Sequence, residues 1–383
     1  MACGRCRRAS LDRISGGATW PKLVTSLPER RHQLGGLFAW CLQTMGRLVD
    51  SGGVRRTLGL TIGAVLVGAG LVAAAGPSRI DSGAQASEPA ERVGRVDSGG
   101  PSIGGCPVFP SDNAWNTNIA DAPLHPRSDA FIASIQASGG NRLHPDFGEH
   151  PNYGIPYIVV PADQPTVPIT YDAYGDESDP GPFPLPLDAP IEGVPGATTG
   201  DRHAIALRQG TCELFELYVA RPDSTGWTAA SGARFDLSSN DLRPLGWTSA
   251  DAAGLPILPG LVRYDEVEAG VIRHAIRVTF SRTQRGYILP ATHFASSRTD
   301  PDLPPMGLRL RMRADHDISR LTGQARVIAQ AMKDYGLIVA DNGSNWFFQG
   351  APDPGWDDDD LGQLKSIPGT AFEVVDTGPI ITD

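Results

Sequence analysis

The chain has 383 residues, 33 Lys/Arg against 43 Asp/Glu and a formal net charge of −10. Residues 1–76 hold 10 of the 33 basic and 3 of the 43 acidic side chains, so the rest carries 23 against 40, a net of −17. That balance argues against nucleic acid and against anionic membrane surfaces as partners, and it suits neutral or cationic substrates.

Residues 1–44 read as a disordered extension or a mis-called start, since Met45 precedes a natural basic region of Arg47, Arg55 and Arg56. Cys3-Gly-Arg-Cys6 has half the spacing of a zinc site, with no matching His/Cys pair after it, and Cys41 stands alone. Residues 45–76 read as a signal peptide or an N-terminal anchor. The nineteen positions Leu58–Gly76 lack any charged side chain, follow Arg55-Arg56 and end in Ala73-Ala74-Ala75, which suits signal peptidase. The run is also just long enough to span a bilayer uncleaved, and that is the only membrane association expected. Arg55-Arg56-Thr57-Leu58 faintly resembles a twin-arginine signal. Either route places the working domain outside the cytoplasm, secreted or membrane-anchored. Residues 77–105 are Gly-, Ser-, Pro- and charge-rich and read as a flexible linker.

From Cys106 to Asp383 apolar residues recur steadily, which predicts a single globular domain. Its two cysteines, Cys106 and Cys212, are expected to pair in an oxidising compartment. Short apolar runs between Pro/Gly turns predict a mostly β fold, a β-sandwich or jelly-roll-like domain with one packed helix and long loops. Strands are expected at 155–160, 167–171, 203–208, 212–220, 272–280, 286–289, 307–313, 337–340 and 345–349. Phe131, Ile132 and Ile135 after Ser128 predict a short helix. Val327, Ile328, Ala331, Met332 and Tyr335 predict another, stopped by Gly336, and Asp357–Asp360 suits a third helix start. In 307–313, Arg309, Arg311 and Arg313 alternate with Leu308, Leu310 and Met312. That row reads as a solvated sheet face, or as a basic groove for an acidic sugar chain.

The chemistry is sought first in Asp201-Arg202-His203 through Tyr218. A two-residue turn at Gln209-Gly210 sets Leu207 opposite Cys212, Ile205 opposite Leu214 and His203 opposite Glu216. A His beside a carboxylate on a half-buried face serves either as an acid/base pair or as two metal ligands. His274 points with the apolar side of 272–280, and His293 follows the next strand. With His203 and Glu216 they would make a divalent-metal site, although no HExxH or HxH spacing accompanies them.

The long loop Trp247–Glu266 carries Trp247, Arg263, Tyr264, Asp265 and Glu266, the material of a binding cleft. Tyr174, Asp176, Glu177 and Asp179 offer a second rim. Asp341 and Trp346 flank an Asn-Gly turn, one for hydrogen bonding and one as a platform for a sugar ring, a role that Trp115, Trp227 and Trp356 would share if exposed. No serine-hydrolase elbow, Walker A loop, dinucleotide fingerprint or EF-hand is read from the chain, and no cofactor is named by its residues.

Leu143-His-Pro-Asp-Phe-Gly148, Gly200-Asp-Arg-His203, Ile257–Glu266, Ile272-Arg-His-Ala275, Pro290–Ala295 and Ala340-Asp-Asn-Gly-Ser344 carry a resemblance. On these stretches the chain resembles a group of uncharacterised secreted bacterial proteins, many of them actinobacterial. The resemblance implies export and brings no activity with it.

The residues therefore point to a secreted carbohydrate-active enzyme cleaving a polysaccharide or cell-wall glycan. For hydrolysis, Glu216 would be the acid/base, His203 its tuning partner, and Asp201 or Glu266 the second carboxylate. For β-elimination, His203 or His274 would be the base and Arg263 would neutralise a uronate. Alternatives are a non-catalytic glycan-binding module and a metal-dependent hydrolase.

Overall fold

A computed structural model describes residues 100–382, which lie within one compact unit, Glu91–Asp383. The readings made for residues 1–99 fall outside the described residues. Among those described, no helix is long and apolar enough to cross a membrane.

A short ladder of β1 (Ser102–Ile103) and β2 (Cys106–Pro107) opens the fold, so the expected linker gives way to ordered chain before Cys106. Pro101 and Ile103 are already buried, which is why this segment folds. Then come α1 (Ser128–Ala137), β3 (His144–Asp146), β4 (Ile158–Val160), β5 (Ile169–Tyr171), β6 (Ala204–Arg208) and β7 (Glu213–Tyr218). Strands β8 (Arg221–Pro222), β9 (Trp227–Ala229) and β10 (Ser231–Asp236) precede a long loop and α2 (Tyr264–Glu268). The chain continues through β11 (Ile276–Phe280), β12 (Arg309–Met312), α3 (Gly323–Asp334), β13 (Leu337–Asn342), β14 (Phe347–Gln349), α4 (Asp358–Gly362) and β15 (Phe372–Val374).

The fold is mostly strand, in several sheets, with few helices. The largest sheet has the order β15-β12-β13-β11-β14-β3, a second has β10-β7-β6-β4, and a third has β5-β9-β8. Strands β11 and β13 pair in parallel, as do β14 and β3, β4 and β6, and β5 and β9. A sandwich or jelly roll does not follow from this order, because such folds are built from antiparallel neighbours.

Strands β6 and β7 are buried on both faces. Ile205, Leu207 and Leu214 enter the main core, while Ala204, Ala206, Phe215 and Leu217 face a second cluster built on Phe183, Leu185 and Trp227. The Pro-rich segment thus covers a sheet, and the Trp227 indole donates to the Leu185 carbonyl at 3.0 Å.

The two helical stripes form as expected. Helix α3 buries Ala325, Ile328, Ala329, Ala331 and Met332, with Ile328 and Met332 contributing about 1.5–3 kcal/mol each. Gly336 ends it at φ +72°, and a Cβ there would lie 2.1 Å from the Leu310 carbonyl oxygen, so only glycine lets β13 start against β12. Asp357 caps α4 by accepting from the amides of Asp359 and Asp360. Helix α2 was not expected, because its five residues are too few to show a period.

Two of the strand expectations change, and so does the reading of the arginine row. The segment 272–275 is irregular, since the Ala275 amide donates to the Trp115 carbonyl, and β11 begins only at Ile276. The run 286–289 makes isolated bridges at Tyr287 rather than a strand. The arginine row is neither solvated nor a groove: Arg309 is buried and donates to the carbonyls of Ala114 and Tyr335, and Arg311 donates to those of Ile119, Ala120 and Ala122. Apart from Tyr335, which ends α3, these carbonyls belong to a strandless segment, and only Arg313 is exposed.

Cys106 and Cys212 form a disulfide with a Cα–Cα separation of 5.4 Å, tying the opening ladder to the β6–β7 turn across 106 residues. Replacing both with alanine should cost about 2–5 kcal/mol of unfolding free energy in denaturant melts, since the unfolded chain then loses a long closed loop.

Candidate functional site

The site begins with strand alternation. Thr279 pairs with Phe347, Phe347 with His144, and Gln349 with Asp146, so Arg277, Thr279, Phe347, Gln349, His144 and Asp146 share one face of the large sheet. Along β11–β13 the register slips between Val278 and Thr279, and Thr279 pairs with Asp341 rather than Ala340. This bulge turns Asp341 onto the face that carries Arg277 and Thr279, as bulges beside functional clefts commonly do. His144 stacks on Phe347 at 4.0 Å and 13°.

Above this face lies the loop after β10. Asp251, 1% exposed, takes Arg277 in a two-pronged ion pair, Nε to Oδ2 at 3.0 Å and Nη2 to Oδ1 at 2.8 Å. Burial works against the guanidinium charge, but Asp251 outweighs it and holds Arg277 above its usual range. Gly254 (φ +71°) lets the loop pass under Thr292, whose Oγ1 would sit 2.1 Å from any Cβ there. The amides of Thr292 and His293 then donate to the Ala253 carbonyl, which sets His293 on the rim.

His203 enters from the start of β6. Its Nδ1 lies 2.6 Å from Glu192 Oε2 and its Nε2 3.1 Å from the Ala250 carbonyl. Both ring nitrogens meet acceptors, so both carry protons. Burial opposes that charge, yet Glu192 lifts the imidazole to about 9. Burial likewise opposes ionised Glu192, and His203 prevails in drawing it below the usual carboxylate range.

These groups enclose two adjoining cavities, of about 340 and about 240 Å³, that share Asp341 as a wall. The larger takes Tyr174, Tyr218, Asp251 and His293, and the smaller takes Asp146, Glu192, Asp201, His203, Arg277 and Gln349. Volumes of this order hold a small ligand or a few sugar units. Burial, then the nearby Asp251, push Asp341 up to about 7, with Asp201 adding to the rise and Arg277 opposing it. Asp146 is also raised, chiefly by burial. Asp201 is exposed at the mouth.

Of the residues expected to act, Asp201, His203, His293 and Asp341 line this cleft, and the others do not. The β6–β7 register is shifted by two from the expected one: Ile205 faces Glu216 and Leu207 faces Leu214, because the turn takes four residues. The faces are unchanged but the partners are not, and the His203 ring lies 5.6 Å from Tyr218 instead of beside Glu216. Glu216 is wholly buried and accepts from the amides of Ile257 and Leu258 at 2.9–3.0 Å. Burial pushes it up to about 7. It anchors a loop rather than reaching a substrate.

Glu266, His274 and Arg263 form a separate buried cluster, with Glu266 2.9 Å from His274 Nε2 and 2.7 Å from Arg263 Nη2. His274 Nδ1 meets the Ala275 carbonyl at 2.7 Å. Arg263 is 1% exposed beside Glu266 and does not line the cleft. Tyr264 packs edge-on to Trp356, away from the cleft. Trp346 is 0% exposed, between Phe280 and Phe372, so it is core rather than a sugar platform, as are Trp115, Trp227 and Trp356. Trp247 is half-buried under the Arg243 guanidinium. His203, Glu216, His274 and His293 do not converge, and no group of three or more potential ligands for a metal ion occurs among the described residues. In the second rim only Tyr174 faces the cleft. Glu177 accepts from the Thr248 amide, and Asp179 pairs with Arg243. Gly100-Pro-Ser102-Ile-Gly104 spells GxSxG in letters alone, since Ser102 sits on β1 and not on a strand-to-helix turn.

Arg277, Asp251, Glu192 and Asp146 were missed. Arg277 stood on the polar side of an alternating strand and Asp251 inside the long loop, signals present but unspecific. Nothing local marks Glu192. The stretches that carry the resemblance supply Asp146, Asp201, His203, His293 and Asp341 to one place. No family model, curated protein or solved structure matches the chain. Fold and site together define a β-rich protein with an acidic two-lobed cleft.

The His203–Glu192 pair makes a pH prediction. His203 is raised above its ordinary 6.5, so its stabilisation is complete below that value and is lost as pH rises through about 9. Glu192 is lowered, so its share is present above 4.5 and is lost as pH falls. Melting temperature should therefore drop between about pH 7 and 10. Glu192→Gln should abolish that slope and cost about 3 kcal/mol, the lower end for a broken buried pair because Glu192 keeps some exposure.

Proposed function

We propose that the cleft hydrolyses a glycosidic bond, with Asp341 as general acid and Asp201 as the second carboxylate. The observation that carries this is Asp341 itself, a carboxyl held up to about 7 at the wall shared by two cavities, with the exposed Asp201 near enough to act on its titration. An acid of that strength keeps a proton to give at neutral pH, and glycoside hydrolysis sets such an acid beside a second carboxyl group. Asp341 passes its proton to the glycosidic oxygen as the bond to the anomeric carbon breaks. Asp201 takes the proton of the water that attacks that carbon. Tyr174, 49% exposed, Tyr218 and the His144–Phe347 stack offer flat surfaces for sugar rings.

Elimination is the weaker reading. It needs a cation free to neutralise a uronate and a neutral base. Arg277 is taken by Asp251, and both ring nitrogens of His203 face acceptors. Export of the protein, which the basic and apolar N-terminal region suggests, would place it where polysaccharides are met.

Residues 77–383 incubated with plant and bacterial polysaccharides should release reducing ends without the ultraviolet absorbance of an unsaturated uronate. Asp341→Asn should lower kcat by about 10²–10⁴-fold with the fold intact. Wild-type activity should fall as pH rises through about 7, the value to which Asp341 is pushed. Glycan binding with no turnover across the panel would leave a binding module, and a full-rate Asp341→Asn variant would remove the assignment of the acid.

A further inference from the structure

A cleft advertises its ligand by the hydrogen-bonding groups it leaves unused. Here most of the donors around Asp201 and Asp341 are spent inside the protein, while Arg277 Nη1 and the hydroxyls of Tyr174 and Tyr218 make no hydrogen bond among the described residues. Arg277 gives Nε and Nη2 to Asp251, and His203 gives its two N–H groups to Glu192 and the Ala250 carbonyl. The Asn342 amide donates to the Ala295 carbonyl, and His293 Nδ1 meets that of Ala252. The hydroxyls follow: Ser231 donates to the Ser249 carbonyl, Ser249 to that of Leu255, and Thr279 to that of Ser344.

The acceptors are in surplus. The Asp201 carboxylate makes no hydrogen bond or ion pair among the described residues, and Asp341 accepts through Oδ1 from its own neighbour Asn342. Gln349 lines the smaller cavity, is 6% exposed, supports Asp146 through its amide, and leaves its Oε1 without a donor. A buried acceptor left without a donor is costly unless something supplies one. Charge points the same way: Asp146, Glu192, Asp201 and Asp251 surround two cations, Arg277 and His203, each already paired.

We infer that the substrate is a cationic glycan whose sugars carry free ammonium groups, with Asp201 and the wall around Gln349 as the ammonium subsite. This rests on the reading of the cleft as a glycan site. An ammonium brings three donors and one positive charge, which matches the unused acceptors, whereas a uronate brings charge and acceptors that the cleft would repel. An acetylated amino sugar keeps the ring shape but loses the charge, so it isolates the effect.

Binding is measured apart from turnover, by calorimetry on the Asp341→Asn variant, with glucosamine oligomers, N-acetylglucosamine oligomers and oligogalacturonate at about pH 6 and low salt. Glucosamine oligomers should bind at least about tenfold more tightly than the acetylated ones, with affinity falling as salt rises, and oligogalacturonate should not bind. Asp201→Asn, placed at an exposed position and checked by its melting temperature, should remove most of that preference. Equal affinity for both forms, or preference for the acetylated or uronate oligomers, would overturn the inference. Cleavage of neutral glycans without recognition of glucosamine would overturn it and leave the hydrolase standing. Tight, salt-sensitive glucosamine binding with no cleavage by wild type would support it while the hydrolase reading fell.

Discussion

The ion pair between Arg277 and Asp251 is the constraint around which the cleft is organised. A guanidinium and a carboxylate, both buried, lie on elements 26 residues apart, one in the middle of β11 and one in a long loop. Desolvating either alone would be costly, so the loop has to close over the sheet for the strand to keep its arginine. The closed loop in turn carries Ala250, which holds His203, and Ala253, which holds Thr292 and His293. Its backbone also meets the sheet directly, through the Ala253 amide and the Ala340 carbonyl. One buried charge pair thus brings four separate stretches of chain to a common centre.

Glu216 works in the same way from below. A carboxylate at the heart of β7 takes the backbone amides of Ile257 and Leu258, two donors at the start of a short 3₁₀ turn that have no strand to satisfy them. The long loop is therefore pinned at Asp251 and again at Ile257, and between those pins Gly254 passes beneath Thr292. The Arg263–Glu266–His274 cluster fixes its far end. Buried polar groups in this protein hold irregular backbone in place, and what remains for a ligand is the small set that they do not use.

Much of the local structure was legible. The stripe of Ile328, Ala331 and Met332, the stop at Gly336 and the acidic helix start at Asp357 depend on neighbours within a few turns. Alternation likewise told which side of each strand His203, Glu216 and Arg277 would take. The disulfide followed from two cysteines in a chain expected to be exported. What alternation does not carry is the partner. A turn of four residues instead of two moved His203 from Glu216 to Tyr218 without altering a single face, and an extra residue at Ala340 turned Asp341 into the cleft. Tryptophan exposure was equally unreadable, since Trp346 beside an Asn-Gly turn lies as deep as Trp115.

The sequence by itself determined the β-rich character of the unit, its two helical stripes, its acidic balance and its cysteine pair. Each is a property of composition or of short-range period. Only the tertiary structure decided that Glu192 belongs to His203, Asp251 to Arg277, and Glu216 to the Ile257 turn. These pairs join residues 11, 26 and 41 positions apart, most of them across irregular chain. Their meeting depends on how loops close over sheets to satisfy buried charge and backbone amides, and no periodicity records that.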